Sequence, residues 1–343
     1  MEYSLFIYVI GAFIVSLVTQ YLVRDLSHKK GIFIDDHTVD LPQKLHSAPT
    51  PRIGGLGIFV AILFMIKDLE IGLYIILCII PAFLAGFLED LFAKISPLRR
   101  LLIMSISGVM AIYLINCVVV DFSFLTVPYA IGVLITMVAI LGLINGTNMI
   151  DGFNGLSSGV CFIIFTTYFA ISMHIHDYTM AYINLVCMAA LLGFLFFNFP
   201  KGKIFLGDGG AYSLGFLLAV ITIMIVKRNS DVVSPWFALV CLIYPVWEVI
   251  FSFTRRTLVH RLSPLYPDSK HVHQLIYRNI TNQNNPLTTL TIYPIVIIFN
   301  IAALYFYNNT FALFIISIIF VVLYTAFYFY YSRKEMQNKK AST

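Results

Sequence analysis

Two short polar stretches hold the residues best suited to chemistry in this chain. Between Asn145 and Gly155, Asn148, Asp151 and Asn154 recur every three residues, so one helical turn would aim all three at a common centre. A carboxylate flanked by carboxamides suits a hard cation such as Mg²⁺, or a nucleobase edge. The competing structural reading is a polar helix cap with turn-forming Asn and Gly. In Phe205-Leu206-Gly207-Asp208-Gly209-Gly210, a glycine turn at a helix start offers backbone N–H groups and a positive dipole end to an anion. The Asp208 carboxylate in that turn would hold the metal such an anion carries.

Three further groups extend the set. Glu89-Asp90 closes an apolar run and is followed by Lys94, Arg99 and Arg100. Adjacent carboxylates repel, which favours one of them as a proton acceptor or metal ligand. A solvated loop is the bland alternative, and it suits Arg100 better than Asp90. Lys270-His271-Val272-His273 would clamp phosphates, with both imidazoles on one face only if the segment is extended. The fifth group is His46-Ser47-Ala48-Pro49-Thr50-Pro51-Arg52-Ile53-Gly54-Gly55. Glu248 stands apart, inside an apolar run beside Trp247. A membrane-buried acid is a functional candidate by default, and a simple ion pair with Arg255 is an equal alternative. His28, His37, His174, His176 and His260 read as surface residues. Cys78, Cys117, Cys161, Cys187 and Cys241 fall within apolar runs without metal-ligand spacing and read as small apolar side chains.

The elements that must position these residues are membrane helices. Of 343 residues, 59% are hydrophobic and 11% are charged, less than half the share usual in soluble domains (roughly 25%). Repeated apolar runs of about 20 residues can each span the hydrocarbon layer, and their continuity excludes a barrel of short alternating strands. The expected fold is all-α, a polytopic membrane protein with about eleven transmembrane helices. They are placed at Tyr3–Val23, Ile53–Ile66, Ile71–Leu88, Leu101–Val120, Leu125–Ile144, Leu156–Met173, Met180–Phe199, Ala211–Val226, Val232–Phe253, Pro286–Tyr307 and Thr310–Tyr331. The second is short and starts with glycines, so it begins inside its preceding loop. The chain reads as a single membrane-embedded domain, 1–343, with 332–343 as a solvated basic cytoplasmic tail. The first segment is too long for a removed signal peptide and lacks a basic start and a small-residue cleavage site.

With the amino terminus outside, only Lys67, Lys227 and Arg228 of the 22 Lys and Arg residues fall outside. This is a strong positive-inside signal, and it accounts for the net charge of +5 without a nucleic-acid partner. The same threading puts all five polar groups on the cytoplasmic face of the inner membrane.

In their order and at one membrane face, these groups resemble the polyprenyl-phosphate N-acetylhexosamine-1-phosphate transferases. The likeness rests on His46 to Gly55, Gly86-Phe87-Leu88-Glu89-Asp90, Asp151-Gly152-Phe153-Asn154-Gly155-Leu156, Phe205 to Gly210 and Lys270 to His273, from about residue 40 to 278. The resemblance implies a one-step phosphoanhydride exchange, in which polyprenyl phosphate attacks the sugar-side phosphorus of a UDP-amino sugar and UMP leaves. It implies Mg²⁺, with Mn²⁺ as substitute, held by Asp208 and Asn148 with Asp151 beside them. It places Asn154 and Phe205 at uracil, Asp90 with Glu89 at the lipid phosphate, and Lys94, Arg99, Lys270, His271 and His273 at phosphates. It leaves room for a homodimer. Two departures stand out. Glu89 replaces the usual first Asp of an acidic pair, and Asn154 replaces the second acid of an Asp-Gly-x-Asp pattern. The short histidine run argues against the peptidoglycan branch and for transferases that start O-antigen, teichoic acid or similar polymers. The donor would be a GlcNAc-type or 6-deoxy amino sugar. The rival from another class is a transporter or flippase of a lipid-linked sugar. It would need polar groups near the bilayer midplane and symmetry between halves, and the chain shows no internal repeat.

Overall fold

The computed structural model describes residues 3–35, 49–67, 70–92, 94–259 and 270–342. His37, His260 and the His46-Ser47-Ala48 part of the first motif lie outside the described residues.

The helices follow the apolar runs in chain order: α1 (Tyr3–Lys30), α2 (Gly54–Ile62, continued as a 3₁₀ turn over Leu63–Lys67), α3 (Ile71–Phe92), α4 (Pro97–Leu114), α5 (Tyr129–Met149), α6 (Leu156–His174), α7 (Tyr178–Asn198), α8 (Gly207–Arg228), α9 (Pro235–Cys241), α10 (Ile243–Thr254), α11 (Val272–Asn279), α12 (Asn285–Tyr305) and α13 (Thr310–Ser342). A two-residue antiparallel pair, β1 (Ile34–Asp35) with β2 (Thr50–Pro51), precedes α2. The chain is therefore a multi-pass helical membrane protein. Among the described residues, nine helices are long and apolar enough to cross a bilayer, and α9 with α10, bent by 75° at their junction, passes the same test only as a pair.

The eleven expected runs all appear, with ends shifted at α1, α5 and α8 and three further differences. Residues Gly54–Lys67 form only a short apolar helix, because Gly54 and Gly55 are tied into the preceding loop. The run Val232–Phe253 breaks at Leu242, where the backbone leaves helical geometry. The run Leu101–Val120 starts earlier and stops at Leu114. Cys117 consequently sits in the α4–α5 connection, although all five cysteines are free and buried. The carboxyl-terminal tail is also helical, since α13 runs on to Ser342.

Helix α8 is the axis of the bundle, packed against α2, α3, α5, α6 and α9. It is buried from Gly207 to Ile225. Its small residues allow that, since within lipid the attraction between helices comes from close packing. A Cβ on Gly215 would stand 2.6 Å from the backbone of Ile144 in α5, so only glycine permits this approach. Polar side chains within the bundle mostly bond to backbone: Gln20 of α1 donates to Gly54 O at 2.7 Å, and Ser107 of α4 accepts from Ala82 N–H at 2.8 Å. That last amide follows Pro81 in α3, where a helix loses a regular bond and the backbone needs another partner.

Candidate active site

The site forms where the starts of α2, α4 and α8 meet the ends of α3 and α5. The strand before α2 lies parallel to the strand before α8. Phe205 N–H donates to Pro51 O, Gly54 N–H to Phe205 O and Gly55 N–H to Leu206 O, each at 2.8 Å. Glycines are required at this crossing. A Cβ on Gly55 would stand 2.2 Å from Gly210 N, and one on Gly86 of α3 would stand 2.2 Å from the backbone of Asp208. Gly207 has φ +76° and faces the Asp90 carboxylate at 2.6 Å from its Cβ position, so both its conformation and its space exclude a side chain.

These close approaches deliver Asp90 to the start of α8. Its Oδ1 accepts from Asp208 N–H at 3.0 Å and its Oδ2 from Gly209 N–H at 2.9 Å. A carboxylate from one helix therefore caps another, at the end where the helix dipole favours negative charge. Asp208, next in the turn, faces two cations. Its Oδ1 pairs with Arg52, and its Oδ2 accepts from Arg100 Nη1 at 2.8 Å and from Tyr212 Oη at 3.3 Å. Arg52 also reaches Asp90 Oδ1 at 3.3 Å. Burial opposes the charge of Arg52, but Asp208 and Asp90 outweigh it and its pKa rises above the ordinary value.

Asp151 is the open carboxylate. It is half-buried, and its side chain makes no hydrogen bond or ion pair among the described residues. Burial pushes its pKa up to about 7, with Arg52 lowering it and Asp208 and Asp90 raising it. The four groups therefore share one electrostatic field. The expected convergence of Asn148, Asp151 and Asn154 on one centre does not occur, because α5 ends at Met149. Asn148 lies on its last turn, half-buried. Asn154 instead anchors a loop: its Nδ2 donates to Pro200 O at 2.9 Å, its N–H to Asn285 Oδ1 at 2.8 Å, and its O accepts from Thr289 at 2.8 Å.

The remaining expected residues divide. Glu89 turns to its own loop, where Oε2 accepts Ile95 N–H at 2.9 Å. Lys94 and Arg99 are exposed, and Arg99 marks the first turn of α4 behind the Ser96 cap. Arg100, expected in a solvated loop, is the residue that enters the site. One residue further along a helix turns the side chain by about 100°, which carries position 100 inward to Asp208 while position 99 faces out. Phe205 is half-buried and bridges to Arg52 through backbone. Lys270 is exposed, and its carbonyl accepts from Arg255. His271 caps α11 in extended geometry, ψ 152°, so His271 and His273 fall on one side with rings 5.2 Å apart and 4° from parallel. His273 meets Phe153 edge-on at 5.6 Å, which joins the histidine pair to the Asp151 turn. Glu248 pairs with His271 at 2.8 Å.

Arg52, Arg100 and Tyr212 are the residues the sequence did not single out. Arg52 was inside a quoted motif, and Tyr212 lies one helical turn after Asp208, the spacing that could have flagged it.

Among the described residues, no three His, Cys, Asp or Glu side chains stand together as a ready metal cage. The donor set still fits Mg²⁺, which is usually held by one or two carboxylates with substrate phosphates and water completing its shell. Asp151 offers an open carboxylate for that arrangement; the Asn148 carbonyl accepts Asp151 N–H at 3.2 Å in the same turn, and the Asp208 charge acts on the Asp151 carboxyl.

Carboxylates, guanidinium groups and a histidine pair gathered at one end of the spans define a class, that of polytopic enzymes handling phosphorylated groups at a bilayer surface. The sequence model of Glycosyl transferase family 4 matches residues 72–226, which takes in Asp90, Arg100, Asp151 and Asp208. The chain is 29% identical over 339 residues to a probable undecaprenyl-phosphate N-acetylglucosaminyl 1-phosphate transferase of Bacillus subtilis, covering 92% of this chain and 90% of the relative. It is 29% identical over 238 residues to an undecaprenyl-phosphate alpha-N-acetylglucosaminyl 1-phosphate transferase of Thermotoga maritima, covering 69% and 72%. A shorter match, 34% over 128 residues, is to the phospho-N-acetylmuramoyl-pentapeptide-transferase of Leuconostoc citreum, covering 37% and 39%. These matches support the family of polyprenyl-phosphate N-acetylhexosamine-1-phosphate transferases.

Proposed function

We propose that this protein transfers N-acetylhexosamine-1-phosphate, of GlcNAc type or a 6-deoxy relative, from a UDP-sugar to undecaprenyl phosphate on the cytoplasmic face of the inner membrane. A phosphate oxygen of the lipid forms a bond to the sugar-side phosphorus, the bond from that phosphorus to the bridging oxygen breaks, and UMP leaves. The product starts a surface polysaccharide such as O-antigen or teichoic acid. The observation that carries the reading is the meeting of Arg52 and Arg100 with Asp90 and Asp208 at the start of α8, beside the open carboxylate of Asp151.

The reaction brings two anions together, so its barrier falls when fixed positive groups meet the charge that develops. Arg52 and Arg100 supply that charge, pre-positioned on Asp208. Asp90, pinned by the amides of Asp208 and Gly209, sets where Arg52 points. Asp151, Asp208 and Asn148 would hold Mg²⁺ with the diphosphate, and the ion would neutralise phosphoryl charge there. A carboxyl that titrates at about 7 would change its affinity for such an ion near neutral pH, since metal ligation requires the ionised form.

Purified protein given undecaprenyl phosphate, Mg²⁺ and a panel of UDP-amino sugars should release UMP with one donor and make a lipid-linked product. Absence of UMP with every donor, in protein shown to be folded, would remove the reading.

A further inference from the structure

The proposed transfer gives α10 no role, yet α10 carries a fully buried acid. Glu248 is 0% exposed. Its Oε1 lies 2.8 Å from His271 Nδ1, and its Oε2 accepts from Tyr324 Oη at 2.7 Å. Ser252 Oγ stands 3.3 Å from the same Nδ1. Across the ring, His271 Nε2 is 3.3 Å from Arg256 Nη2. A guanidinium only donates, so Nε2 accepts and the ring proton of a neutral imidazole sits on Nδ1, pointing at the Glu248 carboxylate. The order is then Arg256 N–H to Nε2, and Nδ1–H to Glu248.

The chain continues toward the site. His273 stacks on His271, its Nδ1 lies 3.4 Å from Tyr244 Oη, and its Nε2 stands 3.6 Å from where a Cβ on Gly152 would be. The histidine pair thus presses against the turn that carries Asp151.

We propose that Glu248 is a positioning residue for the transferase reaction. By accepting the Nδ1 proton it fixes the tautomer of His271, keeps Nε2 turned to Arg256, and locks the two imidazoles against the Asp151 turn. Buried carboxylates that orient a histidine act this way in other enzymes, and the wrong tautomer is costly there. The inference rests on the proposed function, because it assigns a role in that reaction.

Two measurements test it. Nitrogen-15 NMR of histidine-labelled protein in detergent micelles, with His271→Gln used to assign the signal, should show His271 protonated on Nδ1, the form less common in free imidazole. In Glu248→Gln this signature should weaken, and kcat for UMP release should fall about 10- to 100-fold, the range seen when an orienting partner is lost, with KM for undecaprenyl phosphate little changed. Tyr324→Phe, which loosens only the other carboxylate oxygen, should give a smaller fall in kcat. An Nε2-protonated His271 in the wild-type protein would overturn the proposal, as would a Glu248→Gln variant with wild-type kcat. The NMR arm answers even if Glu248→Gln does not fold. If the wild-type protein releases no UMP, the proposed function fails; if it does and Glu248→Gln matches it, only the positioning role fails.

Discussion

At the scale of single residues, the site is an exercise in compensating charge. Asp208 is 4% exposed, and a buried carboxylate is tolerable only when paired. Arg52 and Arg100 provide that pairing from two different helix starts. Arg100→Ala should therefore lower kcat/KM for UMP release at least about tenfold, as loss of one pre-positioned cation does elsewhere. Arg99→Ala, at the exposed neighbouring position, should leave turnover within about twofold, in line with surface substitutions generally. Equal losses in both variants would contradict the inward turn of Arg100. The contrast also marks a limit of the sequence. Asp90, Asp151 and Asp208 stand out because acids are rare in apolar surroundings, whereas choosing between Arg99 and Arg100 needs the starting phase of α4, which Ser96 and Pro97 set. Asn154 fails in the other direction. Its three-residue spacing from Asp151 suggests a shared centre, but its side-chain amide donates to Pro200 O instead.

At the scale of elements, glycines decide which helix ends can meet. Gly86 of α3 has no room for a methyl group against the backbone of Asp208 and Gly209, and backbone cannot move aside as a flexible side chain can. Gly86→Val should push α3 from α8, draw Asp90 off its two amides, and cost about 1–3 kcal/mol as overpacking does. The expected outcome is a lower unfolding temperature in detergent together with strongly reduced UMP release. Gly142, which meets nothing within 4 Å, is the matched control, and Gly142→Ala should preserve both. The glycine-rich motifs were plain in the sequence as turns. Their other purpose, bringing two backbones into contact, was not, because it depends on which helix lies opposite.

At the scale of the whole molecule, a bundle whose spans alternate in direction can gather residues only from ends that share a face. The starts of α2, α4 and α8 and the ends of α3 and α5 satisfy this rule, and the charge bias of the connections supports the proposed cytoplasmic placement of that face. Single cysteines at Lys94 and Lys201, introduced with the five buried native cysteines replaced, should react with a membrane-impermeant thiol reagent only in inverted vesicles. A cysteine at Asn229, after α8, should react only in right-side-out cells. Labelling of Lys94 and Asn229 positions from the same side would overturn the threading. The polar asymmetry also bears on the transport alternative: the charged network sits at span ends, while the interior of α8 from Ala211 to Ile225 carries only neutral side chains.

The linear order of residues determined the class, the approximate spans and the five polar groups, since lipid permits only internally bonded backbone and each run must reach across about 30 Å of hydrocarbon. It could not determine which charges pair, because the ion network joins residues as far apart as Arg52 and Asp208, and such contacts exist only after α2, α3, α4 and α8 pack. Nor could it reveal that Glu248 faces His271 and Tyr324, or that Val232–Phe253 bends at Leu242. Those outcomes depend on partner atoms supplied by other helices, and only the tertiary structure brings those atoms within bonding distance.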